Sequence, residues 1–131
     1  FTGRVNVVEY MEKLDFTILT SISEGQPLSV LESLAARRPC VTTEVGCCRE
    51  LLEGAPGDDF GVAGFVTPPM YRKGLADAME RMCTSRARRI EMGERGQRRV
   101  ATYFLHEQML ANYRALYDET AQAFDLSREG E

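Results

Sequence analysis

Two glutamates, Glu24 and Glu32, lie eight positions apart in the stretch Ser23-Glu24-Gly25-Gln26-Pro27-Leu28-Ser29-Val30-Leu31-Glu32. Carboxylates accept hydrogen bonds from hydroxyl groups, and sugar and ribose hydroxyls are natural partners. Between the two glutamates the chain reads as a tight turn running into a helix. Gly25 is expected to permit a turn that a side chain would hinder. Pro27 fits the first helical turn, where its missing N–H costs nothing. Free backbone amides and the positive end of a helix dipole make such a helix start an anion site. The pattern thus suits an anion with hydroxyl groups beside it. Each glutamate also has an ordinary reading, Glu24 as a dipole partner and Glu32 as a solvated mid-helix residue. A hydrolase-type carboxylate pair is not identified, because the separation of the two groups is not readable from spacing.

The remaining chemistry-bearing residues are weaker candidates. Cys40, Cys47, Cys48 and Cys83 form no C-x-x-C pair, and the vicinal Cys47-Cys48 is a poor zinc pattern. They are expected to be free, partly buried thiols of a cytoplasmic protein. The single histidine, His106, falls in a helical region without a partner at ligand spacing and reads as a surface or structural residue.

These side chains need a scaffold. The run Phe16–Thr20 reads as a buried strand that delivers Glu24. The helix that follows extends from Pro27 to about Arg37 through Leu28, Leu31, Leu34 and Ala35, and Pro39 ends it. Cys40–Thr43 and Ala63–Thr67 read as further strands, with a helical turn or two at Cys47–Glu53 and a surface loop at Gly54–Val62. Asn6–Leu14 reads as a short amphipathic helix with Val7, Val8, Met11 and Leu14 on one stripe. Helices are expected over Tyr71–Cys83, from a Ser85 cap onward with Gly93 and Gly96 weakening its middle, and over Leu105 to about Phe124. Residues Asp125–Glu131 read as a polar tail. Phe1-Thr2-Gly3 looks like the end of a strand that starts upstream. Strands alternating with helices imply an α/β fold with a parallel, Rossmann-like sheet and flanking helices. The carboxyl edge of such a sheet carries the crevice, here the loops Ser21–Gln26, Glu44–Cys48 and Thr67–Met70.

With 131 residues, 44% of them apolar, the chain is long enough for one domain core, and its net charge of −4 offers no argument for nucleic-acid binding. No apolar run approaches the roughly 20 residues that span a bilayer.

The sequence Thr20-Ser21-Ile22-Ser23-Glu24-Gly25-Gln26-Pro27-Leu28-Ser29-Val30-Leu31-Glu32-Ser33-Leu34-Ala35-Ala36 resembles the E-x7-E motif of family-4 retaining glycosyltransferases. Gly3, Asp15, Arg38-Pro39-Cys40-Val41-Thr42-Thr43, Val45-Gly46, Arg49-Glu50-Leu51 and the stretch Gly61–Val66 follow the same order, so the resemblance covers nearly the whole chain. Ile-Ser-Glu-Gly-Gln-Pro-Leu and Val-Gly-Cys-Cys-Arg-Glu-Leu are most similar to the Pel-type exopolysaccharide branch of that family. The resemblance implies a GT-B architecture, with this chain as an incomplete C-terminal, donor-binding domain. Residues 1–104 would be part of the nucleotide-sugar-binding unit and residues 105–131 a C-terminal helix and tail. It further implies that Glu24 contacts donor-sugar hydroxyls as the catalytic candidate. The donor sugar and diphosphate together would meet the Glu24, Gly25, Gln26, Pro27, Leu28 and Ser29 stretch, with amides of Gln26, Leu28 and Ser29 facing the diphosphate. Glu32 would bind the ribose.

The implied reaction moves a hexosyl group from a nucleotide-diphosphate sugar, a UDP-sugar such as UDP-glucose, to an acceptor hydroxyl. No metal and no other cofactor is implied. The implied partners are the donor, a polysaccharide or lipid-linked acceptor and a membrane export complex. Two features depart from the family pattern, Gln26 and Arg37, each where glycine is frequent. The basic residues that would face the donor phosphates are expected upstream, and neither Arg4 nor Arg49 is promoted to that role. A chain cut from such a parent is expected to be inactive alone. Its bare strand edges, with Leu110, Tyr113 and Tyr117 uncovered, would favour self-association. Competing readings are a nucleotide-sugar epimerase on the same architecture and a non-catalytic Rossmann-like binding module.

Overall fold

The computed structural model describes residues 3–128, and side-chain surroundings through residue 121. Nine elements follow in order: α1 (Val7–Met11), β1 (Thr17–Leu19), α2 (Leu28–Ala35), β2 (Cys40–Thr43), α3 (Cys48–Glu53), β3 (Gly64–Thr67), α4 (Arg72–Cys83), α5 (Arg86–Tyr103) and α6 (His106–Arg128). The strands form one parallel sheet in the order β1-β2-β3, with Thr17 beside Cys40 and Cys40 beside Gly64. This is the expected α/β architecture. Of the expected strand end at Phe1-Thr2-Gly3, only Gly3 is among the described residues, and it lies outside any strand.

All four residues of β2 are buried, as befits a central parallel strand covered on both faces. On one face Val30 and Leu34 of α2 pack with Leu51 and Leu52 of α3 against Cys40 and Ala63, and Val100 and Phe104 close the cluster. On the other, Ala78 and Met82 of α4 and Met92 of α5 pack on Val41. Fully burying a leucine is worth about 1.5–3 kcal/mol, so these two clusters are the main stabilising term of the sheet. At the β1 edge the cover fails. Ile18 pairs in register with the buried Val41 yet is 42% exposed.

The buried face of α2 is rotated from the expected one. Val30, Ser33 and Leu34 turn inward, whereas Leu28 is 69% exposed and Ala35 faces solvent. Ser33 is tolerated in the core because its hydroxyl meets that of Thr17 at 2.7 Å and donates to the Arg38 carbonyl at 2.8 Å. It therefore does not line a cleft beside Glu32. The α1 helix forms behind an Asn6 cap, but none of its residues is buried, so its apolar stripe covers no core among the described residues.

Arg37, which stands where glycine is frequent, closes α2 in the conformation that glycine favours. It sits at φ 59°, in the left-handed region, with Arg37 N–H bonded to Leu34 O at 2.9 Å and Arg38 N–H to Ser33 O at 2.8 Å. These two bonds are the paired closure that usually follows a helix with glycine, here made by arginine at a cost of about 1–2 kcal/mol. The Arg37 carbonyl then explains Gly93. A Cβ on Gly93 would lie 2.1 Å from that oxygen, and one on Gly96 would lie 2.5 Å from Leu34 Cδ2. These glycines do not merely weaken α5. They let it approach the end of α2.

The loop Gly54–Val62 is not a simple surface connection. The Asp58 side chain is 4% exposed and that of Arg99, on α5, is 1% exposed. Arg99 donates to Asp58 Oδ2 and Oδ1, and also to the carbonyls of Leu51, Leu52 and Gly61. Every donor direction of the guanidinium fork is thereby used on the loop or the end of α3.

The final helix begins close to its expected position and continues through Arg128, so Asp125–Arg128 is helical, and Glu129–Glu131 lie outside the described residues. From His106 to Ala121 all its residues are exposed, including Leu110, Tyr113 and Tyr117. Among the described residues no helix is long and apolar enough to cross a membrane.

Candidate functional site

The parallel register places the ends of β1, β2 and β3 on one edge of the sheet, and the three expected crevice loops are joined there. Thr43, at the end of β2, donates its hydroxyl to the Ser21 carbonyl. Cys47 N–H donates to the Gly25 carbonyl at 3.0 Å. Glu44 N–H donates to the Thr67 carbonyl at 2.7 Å, which ties the second loop to the end of β3. The glycine that this contact requires is Gly46, not Gly25. Gly46 has φ 50°, and a Cβ there would lie 2.1 Å from Gly25 O and 2.5 Å from Glu24 O. Gly25 has no positive φ, and a Cβ added to it meets nothing within 4 Å. Its expected role as the permissive turn residue is therefore corrected. What Gly25 supplies is a carbonyl. Thr43, Gly46 and Cys47 are the residues that local sequence reasoning missed. The only signal for them was their position at the end of the second strand and in the loop that follows it.

Glu24 is half-buried, and its Oε1 accepts a hydrogen bond from Ser21 Oγ at 2.7 Å. The α2 helix starts behind Pro27, an extended cap with φ −74° and ψ 111° that has no side-chain capping bond. Pro27 thus precedes the helix rather than opening it. It is buried and lacks an N–H, so it shapes the turn and contributes no donor. No acidic residue occupies the first turn of α2. Among the described residues nothing in the chain accepts from the amides of Gln26, Leu28 or Ser29. These are the orphan N–H groups of a helix start, still available to an anion.

Glu32 is exposed, one helical turn beyond that start. From Leu28 to Glu32 the helix rises by only about 6 Å, because Gln26 and Pro27 are not helical. Glu32 borders two cavities. One of about 630 Å³ lies between α2 and the α5–α6 junction and includes Gln26, Leu28, Phe104 and Tyr113. The other, about 440 Å³, lies between α1 and α2 and includes Val8, Met11 and Arg37. The structure therefore brings Gln26, Leu28 and Glu32 to one cavity. Glu24 and Gly25 do not line it, and Ser29 faces a separate hollow of about 390 Å³ at the open flank of β1.

Arg49 is held by Glu44 at 2.8 Å and Glu53 at 2.5 Å. The guanidinium bond draws the Glu44 carboxyl below its ordinary range, and the two carboxylates stabilise the charge on Arg49. It is a paired surface cation. His106 is exposed at the start of α6.

All four cysteines are free. Burial pushes the Cys40 thiol up to about 11 and raises those of Cys47 and Cys48. Neutral thiols are poor nucleophiles, so these three are structural groups at neutral pH.

A family model described as "Glycosyl transferases group 1" matches residues 1–85. The N-acetyl-alpha-D-glucosaminyl L-malate synthase of Bacillus anthracis is 28% identical over 112 residues, which is 86% of this chain and 28% of that protein. The O-antigen biosynthesis glycosyltransferase WbnH of Escherichia coli is 43% identical over 54 residues, covering 41% of this chain and 16% of its own length. Among solved structures, sucrose-phosphate synthase from Thermosynechococcus elongatus superposes with a TM-score of 0.81 at 23% identity, over 94% of this chain and 30% of that one. The chain thus spans less than a third of each of these proteins, and the fold likeness extends through nearly all of it.

Proposed function

Because the chain belongs to the group 1 glycosyl transferases, we propose that it is the donor-binding part of a retaining GT-B glycosyltransferase of the E-x7-E type. The parent transfers a hexosyl group from a nucleotide-diphosphate sugar, a UDP-sugar in the first instance, to an acceptor hydroxyl. The observation that carries this reading is the start of α2, whose amides at Gln26, Leu28 and Ser29 find no acceptor in the chain and whose first turn holds no acid. A leaving diphosphate is an anion that such a terminus stabilises as charge develops. Glu24 then serves the donor-sugar hydroxyls, and Glu32, exposed at the rim of the same helix, serves the ribose.

Nothing in this reading requires a resident metal, since helix amides and upstream cations would share the diphosphate charge. The E. coli relative is named for O-antigen biosynthesis, which supports a polysaccharide or lipid-linked acceptor. The Ile-Ser-Glu-Gly-Gln-Pro-Leu wording supports a Pel-type exopolysaccharide branch, with synthesis in the cytoplasm beside a membrane export complex. The chain self-associates through the open β1 flank, where Ile18 is exposed, and through the exposed face of α6.

The test is to supply the full-length protein with UDP-hexoses and an oligosaccharide acceptor, and to follow the product by proton NMR. Release of UDP with an axial donor linkage kept in the product is expected. Inversion at the anomeric carbon, or no consumption of any nucleotide sugar, would contradict the proposal.

A further inference from the structure

The structure surrounds Glu24 with more restraint than a passive loop residue requires. Its carbonyl is in the contact that forces glycine at position 46, and the next carbonyl, of Gly25, receives Cys47 N–H. Upstream, the Ser21 carbonyl receives the hydroxyl of Thr43, itself 5% exposed on the central strand. The backbone on both sides of Glu24 is therefore anchored to β2 and its following loop. The side chain has one anchor, the Ser21 hydroxyl, which donates to Oε1 at 2.7 Å. Among the described residues Oε2 has no hydrogen-bond partner. A carboxylate with one oxygen fixed and one oxygen open can accept a hydroxyl in a single orientation.

We propose that Ser21 is the positioning residue of the donor site. It holds Glu24 through Oε1 so that Oε2 meets the donor sugar, and Thr43 holds Ser21 in place. The proposal rests on the assignment of Glu24 to the donor sugar. It makes a distinction between the sugar and the nucleotide. Ser21 acts only through a group that touches the sugar, so its loss should be felt in turnover and little in the binding of the bare nucleotide. A serine that merely closes the loop would affect both, because the helix start that holds the diphosphate follows within the same loop.

The experiment compares Ser21→Ala and Ser21→Thr in the full-length enzyme, with kcat and KM for the nucleotide sugar and Kd for UDP alone. Ser21→Ala is expected to lower kcat roughly ten- to hundredfold, with the Kd for UDP changed by less than about threefold. Ser21→Thr, which keeps the hydroxyl, is expected to restore kcat to within about threefold of the parent. Three results would overturn the proposal: an alanine variant that turns over like the parent, UDP affinity that falls as far as kcat, or a threonine variant no better than alanine. A parent that consumes no nucleotide sugar would instead sink the donor-site assignment itself, which separates the two failures.

Discussion

Replacing Arg99 by leucine is expected to destabilise the chain by about 3–5 kcal/mol, the cost of breaking a buried ion pair by removing one partner. That is a large share of the 5–15 kcal/mol typical of a small domain. The partner left behind is Asp58, almost fully buried, together with the carbonyls of Leu51, Leu52 and Gly61. Burial alone pushes the Asp58 carboxyl up, but the bonds from Arg99 and from Phe60 N–H, with the charge of Arg99, outweigh it and hold the group below its ordinary 3.8. A depressed carboxyl contributes stability that is complete above its unfolded value and is lost as pH falls through the folded one. The parent chain should therefore lose this contribution only below about pH 4. In Arg99→Leu the sign reverses. Asp58 is then a buried carboxylate without its cation, so mild acid, which neutralises it, should recover part of the loss. Urea titrations at pH 7 and pH 5 read this directly. A further Asp58→Leu change should recover only part of the stability, because three carbonyls still lack their donor.

Gly46→Ala is expected to cost about 3 kcal/mol, from left-handed strain of about 1–2 kcal/mol and overpacking of similar size. The added Cβ would meet backbone oxygens of Glu24 and Gly25 at 2.5 and 2.1 Å, so no side-chain rotation relieves it. The two loops must part, and the Cys47–Gly25 and Thr43–Ser21 bonds go with them. Gly25→Ala is the contrast. With no positive φ and open space around the added carbon, it should stay within about 0.5 kcal/mol. Denaturant midpoints for the two variants check this, and an equal loss in both would refute the contact at Gly46.

These two residues mark the limits of what was legible in the sequence. The strands Cys40–Thr43 and Gly64–Thr67 were readable because short β-branched and apolar runs lay between prolines and glycines, and the Ser85 cap was readable because capping is local. The buried ion pair was not. Arg99 is one arginine in an arginine-rich helix, and its partner lies 41 positions away in a loop that reads as polar surface. That the permissive glycine is Gly46 rather than Gly25 was hidden for the same reason: the contact that demands it joins the ends of two different strands. Arg37 occupies a backbone conformation that composition assigns to glycine, so propensity pointed away from the helix closure that tertiary packing retains. The candidate site was legible as an order of residue types, carboxylate, turn, helix start, carboxylate. Its restraint by Ser21 and Thr43 became visible only with the sheet register.

The most direct measurement is the affinity of the full-length protein for a UDP-hexose before and after Glu32→Ala. Glu32 is exposed and bonded to no other side chain among the described residues, so the substitution leaves the fold intact. Two ribose hydroxyls on one carboxylate are worth at least about one charged hydrogen bond, or tenfold in Kd. Calorimetry is predicted to show the affinity weakened by about tenfold or more, with thermal stability unchanged. An unchanged affinity would contradict the assignment of this helix to a nucleotide-sugar donor.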